Sequence, residues 1–211
     1  MDTAAHDLLF LRDPGAFAPA ADAPDWLDPD WLARAPLVVR RAPAAPGRVA
    51  VGLRGRRRSE RCAGFADLSA VERRLRPEAL VAAPGPVPSD GATPALPCLA
   101  ALRDLAPRLA ALGLAWGPAG GVGFWLASGL PVLRPDSDLD LLVRAPRPLP
   151  EDVVAALAAL QGAYPCRIDI QVDTGEGGFA LAELARGGRV LLKTAAGPLL
   201  LDDPWDHREP A

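Results

Sequence analysis

Apolar residues recur along the chain with two different periods. In "VAVGLR" Val49, Val51 and Leu53 alternate with small or polar residues, the two-residue repeat of a strand with one buried face. "PLVVRRA" just before it is a short Val-rich run and predicts a partner strand. "FADLSAVERRLRP", Phe65 to Pro77, predicts a short helix. Further on, Leu99, Leu102, Leu105, Leu109 and Leu112 form a helical stripe across "CLAALRDLAPRLAALG", with Gly113 suited to its end and Pro107 as a candidate kink. "PEDVVAALAALQG" predicts another helix, with Glu151 and Asp152 in the first turn, where they favour the dipole, and Gly162 as stop. "YPCRIDIQVDT" reads as a strand, "GFALAELARGG" as a short helix, "RVLLKTAAG" as a strand or hairpin arm, and "PLLLDDPWDHREPA" as a tail.

Between the two patterned regions lies "VAAPGPVPSDGATPALP", Val81 to Pro97. So many Pro and Gly residues hold neither a helix nor a central strand, and the segment predicts a linker. The chain divides into an N-terminal Arg-rich, β-containing domain (1–85), a linker (86–97) and a C-terminal domain (98–211). Alternating helices and strands in the second part give an α/β or α+β unit.

The strand "RPDSDLDLLVR" interrupts its apolar run with Asp138 and Asp140. Residues two apart on a strand share a face, so both carboxylates face one way and Leu139 and Leu141 the other. "RIDIQVD" repeats the design: Asp169, Gln171 and Asp173 oppose Ile168, Ile170 and Val172. If the two strands are neighbours, a third aspartate joins the pair. Three hard oxygen ligands suit Mg²⁺, which takes its remaining ligands from water and substrate phosphates. Taken alone, Asp-x-Asp is equally a solvated strand face. Ahead of it, "GGVGFWLASG" places Gly120 and Gly121 at a helix start, where free N–H groups cradle phosphate. The ordered set is more specific than its parts.

Composition narrows the chemistry. The 211 residues are 50% apolar and 23% charged, with a net charge of −3, which is globular and gives no general pull toward nucleic acid or membrane. Three scattered cysteines and two histidines, His6 and His207, argue against a disulfide scaffold, a zinc site or a Ser-His-Asp hydrolase. No signal peptide is expected, and no apolar run approaches the ~20 residues of a membrane helix. The expected location is cytoplasmic. From Arg34 to Arg76 arginines outnumber acidic residues, which is either a solvated surface or a dock for a polyanion or acidic partner.

The glycine turn, helix, Asp-x-Asp strand and later aspartate resemble the polymerase-beta-like nucleotidyltransferase superfamily. A closer resemblance spans nearly the whole chain. "HDLLFL", "PLVVRRA", "VAVGLRG", "GFWLASGLPVLRPDSDLDLLVRAP", "IDIQVDT", "VLLKTAAGP" and "DDPW" follow the order found in the malonate decarboxylase holo-acyl-carrier-protein synthases, also called phosphoribosyl-dephospho-CoA transferases. That resemblance implies an α+β fold: a small β-rich N-terminal domain and a polymerase-beta-like domain with a mixed sheet and flanking helices. It implies transfer of a prosthetic group from triphosphoribosyl-dephospho-CoA to a serine of the apo acyl-carrier subunit of malonate decarboxylase, with release of diphosphate. It assigns Asp138, Asp140 and Asp169 as catalytic ligands of Mg²⁺ or Mn²⁺, with Asp173 as the alternative third carboxylate. Gly120, Gly121, Ser137 and Lys193 are the candidate substrate-binding residues. Ser137 either contacts phosphate or caps the strand, Lys193 is a phosphate ligand or an exposed edge lysine, and Asp136 is a turn residue. Arg54, Arg56, Arg57 and Arg58 are candidates for holding the carrier or the donor's phosphates, and His6 for a helix-start or interdomain contact. The superfamily pattern has Ser where this chain has Gly121, so one hydroxyl contact to phosphate is missing. Two other readings share these residues: a different nucleotidyltransferase, and a non-catalytic nucleotide-binding module.

Overall fold

The computed structural model describes residues 2–81 and 96–206. Most of the expected linker therefore lies outside the described residues. Two six-stranded sheets organise the rest. The first contains β1 (Leu8–Leu11), β2 (Phe17–Pro19), β3 (Leu37–Val39), β4 (Arg48–Arg54), β5 (Arg61–Asp67) and β6 (Val71–Leu75), with α1 (Pro29–Arg34) between β2 and β3. Its order is β2-β5-β4-β3-β1-β6, antiparallel throughout. The second has β7 (Ala115–Pro118), β8 (Leu139–Arg144), β9 (Ile168–Asp173), β10 (Gly177–Ala180), β11 (Val190–Thr194) and β12 (Pro198–Leu201), in the order β12-β11-β10-β9-β8-β7. Only the β8–β9 pair is parallel. Parallel neighbours need a crossover, and α4 (Glu151–Gln161) provides it. The remaining helices are α2 (Pro97–Ala111), α3 (Gly120–Ser128) and α5 (Leu181–Arg186). The result is the expected α+β architecture with a mixed second sheet.

Three local expectations are corrected. The segment Phe65 to Pro77 is not a helix. It finishes β5, turns through a single 3-10 turn at Leu68–Ala70 and returns as β6. Pairing of β6 with β1, from Leu8↔Leu75 to Leu11↔Val71, outweighs the helical preference of its Glu and Arg residues. In "GFALAELARGG" the first residues are strand β10, paired with β9, and only Leu181–Arg186 is helical. There is no room for a Cβ at Gly177, which would meet the Leu192 side chain at 2.7 Å. "PLLL" is not tail but strand β12, closing a hairpin with β11. Beyond it Trp205 donates to the Ala145 carbonyl at 2.8 Å and meets Phe179 edge-on.

The stripe on α2 packs as its period requires: Leu105 and Leu109 are fully buried beside Leu139, Leu141 and Val143 of β8 and Ile168, Ile170 and Val172 of β9. α3 has apolar residues on all sides, and a helix of that kind is buried all round. Val122 enters the core of the second sheet, while Phe124 and Trp125 enter that of the first, among Leu9, Leu37 and Val51. This helix joins the two halves. A close approach beside it needs Gly117, where a Cβ would lie 2.1 Å from the Pro77 backbone.

A buried ionic network links the halves at the other end of the sheet. Asp173 receives Arg41 at 2.8 Å and Arg144 at 2.6 Å. Arg144 also reaches Glu78 at 2.8 Å and Asp7 at 3.5 Å, and Asp7 receives Arg74 at 2.7 Å. His6 sits here in left-handed conformation, φ 72°, its Nε2 3.5 Å from an Arg41 nitrogen. Burial, and then the Arg41 charge, push its imidazole down to about 4. The unfolded chain therefore binds a proton near the ordinary value of 6.5 while the native state does not. Stability should fall by on the order of 2 kcal/mol from this group as pH drops from about 6.5 to 4. His6→Gln should remove that component. Urea titrations at pH 7.5 and 5 check it: the gap between wild type and variant must move in the variant's favour at pH 5. An equal gap at both values would show that His6 does not titrate this way.

Candidate active site

Asp140 and Asp169 are directly paired across the parallel β8–β9 ladder. The alternation in each strand sends Leu139, Leu141, Ile168 and Ile170 into the core and leaves the carboxylates on the opposite face. Asp138 immediately precedes β8. All three aspartates line one chamber of about 170 Å³. Ser137 lines it too, and its hydroxyl accepts the Arg134 N–H at 2.9 Å, which closes the turn before β8. Asp136 is in the same turn, 3.7 Å from Arg134.

Gly120 and Gly121 open α3, whose first N–H groups lack helical acceptors. Ala119 N–H donates to the Asp140 carbonyl at 2.8 Å, which fixes the helix start against the aspartate strand. Gly120 has φ 53°, and a Cβ there would fall 1.8 Å from Asp140 Oδ2. Only glycine brings the backbone this near the carboxylate. Both glycines border a second, larger chamber of about 530 Å³ between the two sheets. Leu8, Leu53 and Phe124 give it apolar walls, and Arg40, Gln171 and His6 supply polar groups.

The electrostatics are uneven. Burial, then Asp169 and Asp138, push the Asp140 carboxyl up, with Arg54 and Arg58 opposing. Asp138 pairs with Arg58 at 3.0 Å and Asp169 with Arg167 at 3.0 Å. Among the described residues no three His, Cys, Asp or Glu side chains converge on one cation position. The donor set itself fits a hard divalent cation: three carboxylates, one of them short of positive charge, on a common chamber wall. A cation held by all three would need Asp138 and Asp169 to turn from their arginines.

Two sequence candidates go elsewhere. Asp173, the alternative third carboxylate, is buried and held by Arg41, Arg144 and the Gly175 N–H at 2.8 Å. Lys193 is exposed on β11, three strands from β8 and so about 14 Å away at ordinary strand spacing. The arginine run also splits. Arg56 pairs with Asp28 at 2.8 Å and lies over Trp31 at 4.5 Å. Arg57 is exposed, Arg58 takes Asp138, and Arg54 turns inward. It is not one uniform docking face. Sequence reasoning missed Arg61, Arg134 and Arg167, which line the aspartate chamber. For Arg167 the signal was present, because it immediately precedes the strand that carries Asp169.

Fold and chambers together describe a two-part α+β protein, its carboxylates at one end of the parallel pair in a mixed sheet and its second wall supplied by the N-terminal half. The comparisons agree. Residues 86–204 match the model of the phosphoribosyl-dephospho-CoA transferase MdcG C-terminal domain and residues 4–77 that of the MdcG N-terminal domain. A phosphoribosyl-dephospho-CoA transferase of Pseudomonas aeruginosa is 53% identical over 95% of this chain and 92% of its own. Those of Pseudomonas putida and Azotobacter vinelandii are 47% and 43% identical, over 97% and 95% of this chain and 96% and 93% of theirs. No solved structure matches. The chain belongs to the MdcG family of phosphoribosyl-dephospho-CoA transferases. No described helix is long and apolar enough to cross a membrane.

Proposed function

We propose that this protein transfers the 2′-(5″-phosphoribosyl)-3′-dephospho-CoA group from its triphosphate donor to a serine on the apo acyl-carrier subunit of malonate decarboxylase, releasing diphosphate, in the cytoplasm. The observation that carries the reading is the pairing of Asp140 with Asp169 beside the glycine start of α3, in a chain whose relatives bear the transferase name. Asp138, Asp140 and Asp169 would hold Mg²⁺ or Mn²⁺, which supplies charge neutralisation on the phosphoryl oxygens when bound. The chain's own residues do the rest. Asp169 accepts the serine proton as the new P–O bond forms and the bond to diphosphate breaks. The α3 N–H groups at Gly120 and Gly121 orient the phosphoryl group for in-line attack. The larger chamber shields the organic part of the donor from water.

The test is direct. Incubation of the protein with triphosphoribosyl-dephospho-CoA, Mg²⁺ and the apo carrier should raise the carrier's mass by one phosphoribosyl-dephospho-CoA unit and release one diphosphate. Diphosphate release with an unmodified carrier would point to another acceptor. No release with any acceptor would leave a binding module.

A further inference from the structure

Arg54 ends β4 with its side chain half-buried between the two chambers. Its carbonyl accepts Trp31 Nε1–H at 2.8 Å, and its guanidinium lies over the Phe124 ring at 5.6 Å. Yet its Nε is buried without a hydrogen-bond partner among the described residues. Burial and then the like charges of Arg61, Arg134 and Arg58, against the opposing Asp140, lower its pKa to about 10, so it remains charged at neutral pH. A half-buried guanidinium with a buried, unpartnered N–H is costly in that setting unless an anion joins it.

Position supplies the second observation. Four residues border both chambers: Arg54, Arg61, Gly121 and Asp140. Arg54 and Arg61 therefore stand where a ligand reaching from the large chamber to the aspartates must pass. At Gly121 a Cβ would lie 3.0 Å from Arg54 Nη1. The guanidinium thus stands in tight contact with the position where a serine hydroxyl would be carried, and a planar fork of donors matches phosphate oxygens better than one hydroxyl.

We propose that Arg54, with Arg61, is the diphosphate-binding pair of this enzyme, holding the outer two phosphates of the donor's triphosphate and then the departing diphosphate. The N-terminal half thereby completes the active site. The proposal rests on the transfer reading above. Its test uses inorganic diphosphate and the whole protein in isothermal titration calorimetry, in EDTA and again with Mg²⁺. Wild type should bind. Arg54→Gln should weaken binding by about tenfold or more, as loss of a charged hydrogen-bond donor predicts, with Arg54→Lys between them. Asp140→Asn in EDTA should bind more tightly, because the nearest negative charge is gone. A folded Arg54→Gln that binds within twofold of wild type overturns the proposal, as does a wild type that binds no diphosphate in either buffer. If Arg54→Gln does not fold, Arg54→Lys and Arg61→Gln decide: diphosphate affinity unchanged in both also overturns it. The two readings separate in the transfer assay. Diphosphate binding through Arg54 with no carrier modified leaves the pair and removes the transferase. Carrier modification with the same donor KM in wild type and Arg54→Gln does the reverse.

Discussion

Asp140→Asn should lower transfer by at least ~10³-fold, about 4 kcal/mol of transition-state stabilisation, while the protein melts at the same temperature or higher. The first half of this expectation follows from place. Asp140 is the carboxylate common to both chambers. It is paired with Asp169 in the ladder and touches the start of α3. Asparagine keeps the shape but removes the charge by which Asp140, in the proposed reading, would hold a cation against the reacting phosphate. The second half follows from cost. Burial and two neighbouring carboxylates raise its pKa. A carboxyl raised in the folded state is penalised once ionised, so at neutral pH the native state bears a repulsion that the unfolded chain lacks. Removing the charge relieves it. Donor turnover and a melting curve on one preparation test both halves. Near-normal turnover would remove the carboxylate site as the seat of chemistry, and a large fall in melting temperature would make Asp140 a structural residue.

The opposite profile belongs to Asp173, and the contrast shows what the sequence contained. Alternation alone placed Asp138 and Asp140, and likewise Asp169 and Asp173, on single strand faces. It left open which of the later two meets the earlier pair. The decision lies in contacts remote along the chain: Arg41, 132 residues away, and Arg144, 29 away, close on Asp173. Parallel pairing puts Asp169 opposite Asp140 instead. Lys193 is the chain's single lysine, but rarity says nothing about strand order, and β10 and β9 lie between it and β8. The Phe65–Pro77 helix failed for a related reason. Local preference for helix competes there with a ladder to β1, whose existence depends on the first residues of the chain. Arg54 was among the candidate arginines, and β4 alternation already placed it on the face of Gly52, away from Val49 and Val51. What alternation does not reveal is that α3 from the other half forms the facing wall. Strands, faces and the acidic motif are local and legible. Register and the meeting of the halves are not.

Gly120→Ala should cut transfer by at least ~100-fold, because a misplacement of about 1 Å at a reacting centre has effects of that size, with a stability loss of only about 1–2 kcal/mol. Two constraints meet at this position. The backbone has φ 53°, left-handed, which a Cβ resists. The Cβ would also lie 1.8 Å from Asp140 Oδ2 and 2.6 Å from its Cγ, far inside contact. The backbone around both residues is held: Ala119 is bonded to the Asp140 carbonyl, Gly123 N–H to the Ala119 carbonyl at 2.8 Å, and Phe124 is fully buried. The strain therefore falls on the softest element, the Asp140 side chain, which rotates from its position between the chambers. The fold survives, and the carboxylate no longer stands beside Asp169. Gly121→Ala is the control for crowding, since its Cβ meets Arg54 Nη1 at 3.0 Å and does not touch the aspartate; it should affect diphosphate affinity more than the catalytic step. A Gly120→Ala protein that turns over as fast as wild type would mean that the working position of Asp140 is not the one pressed against the start of α3.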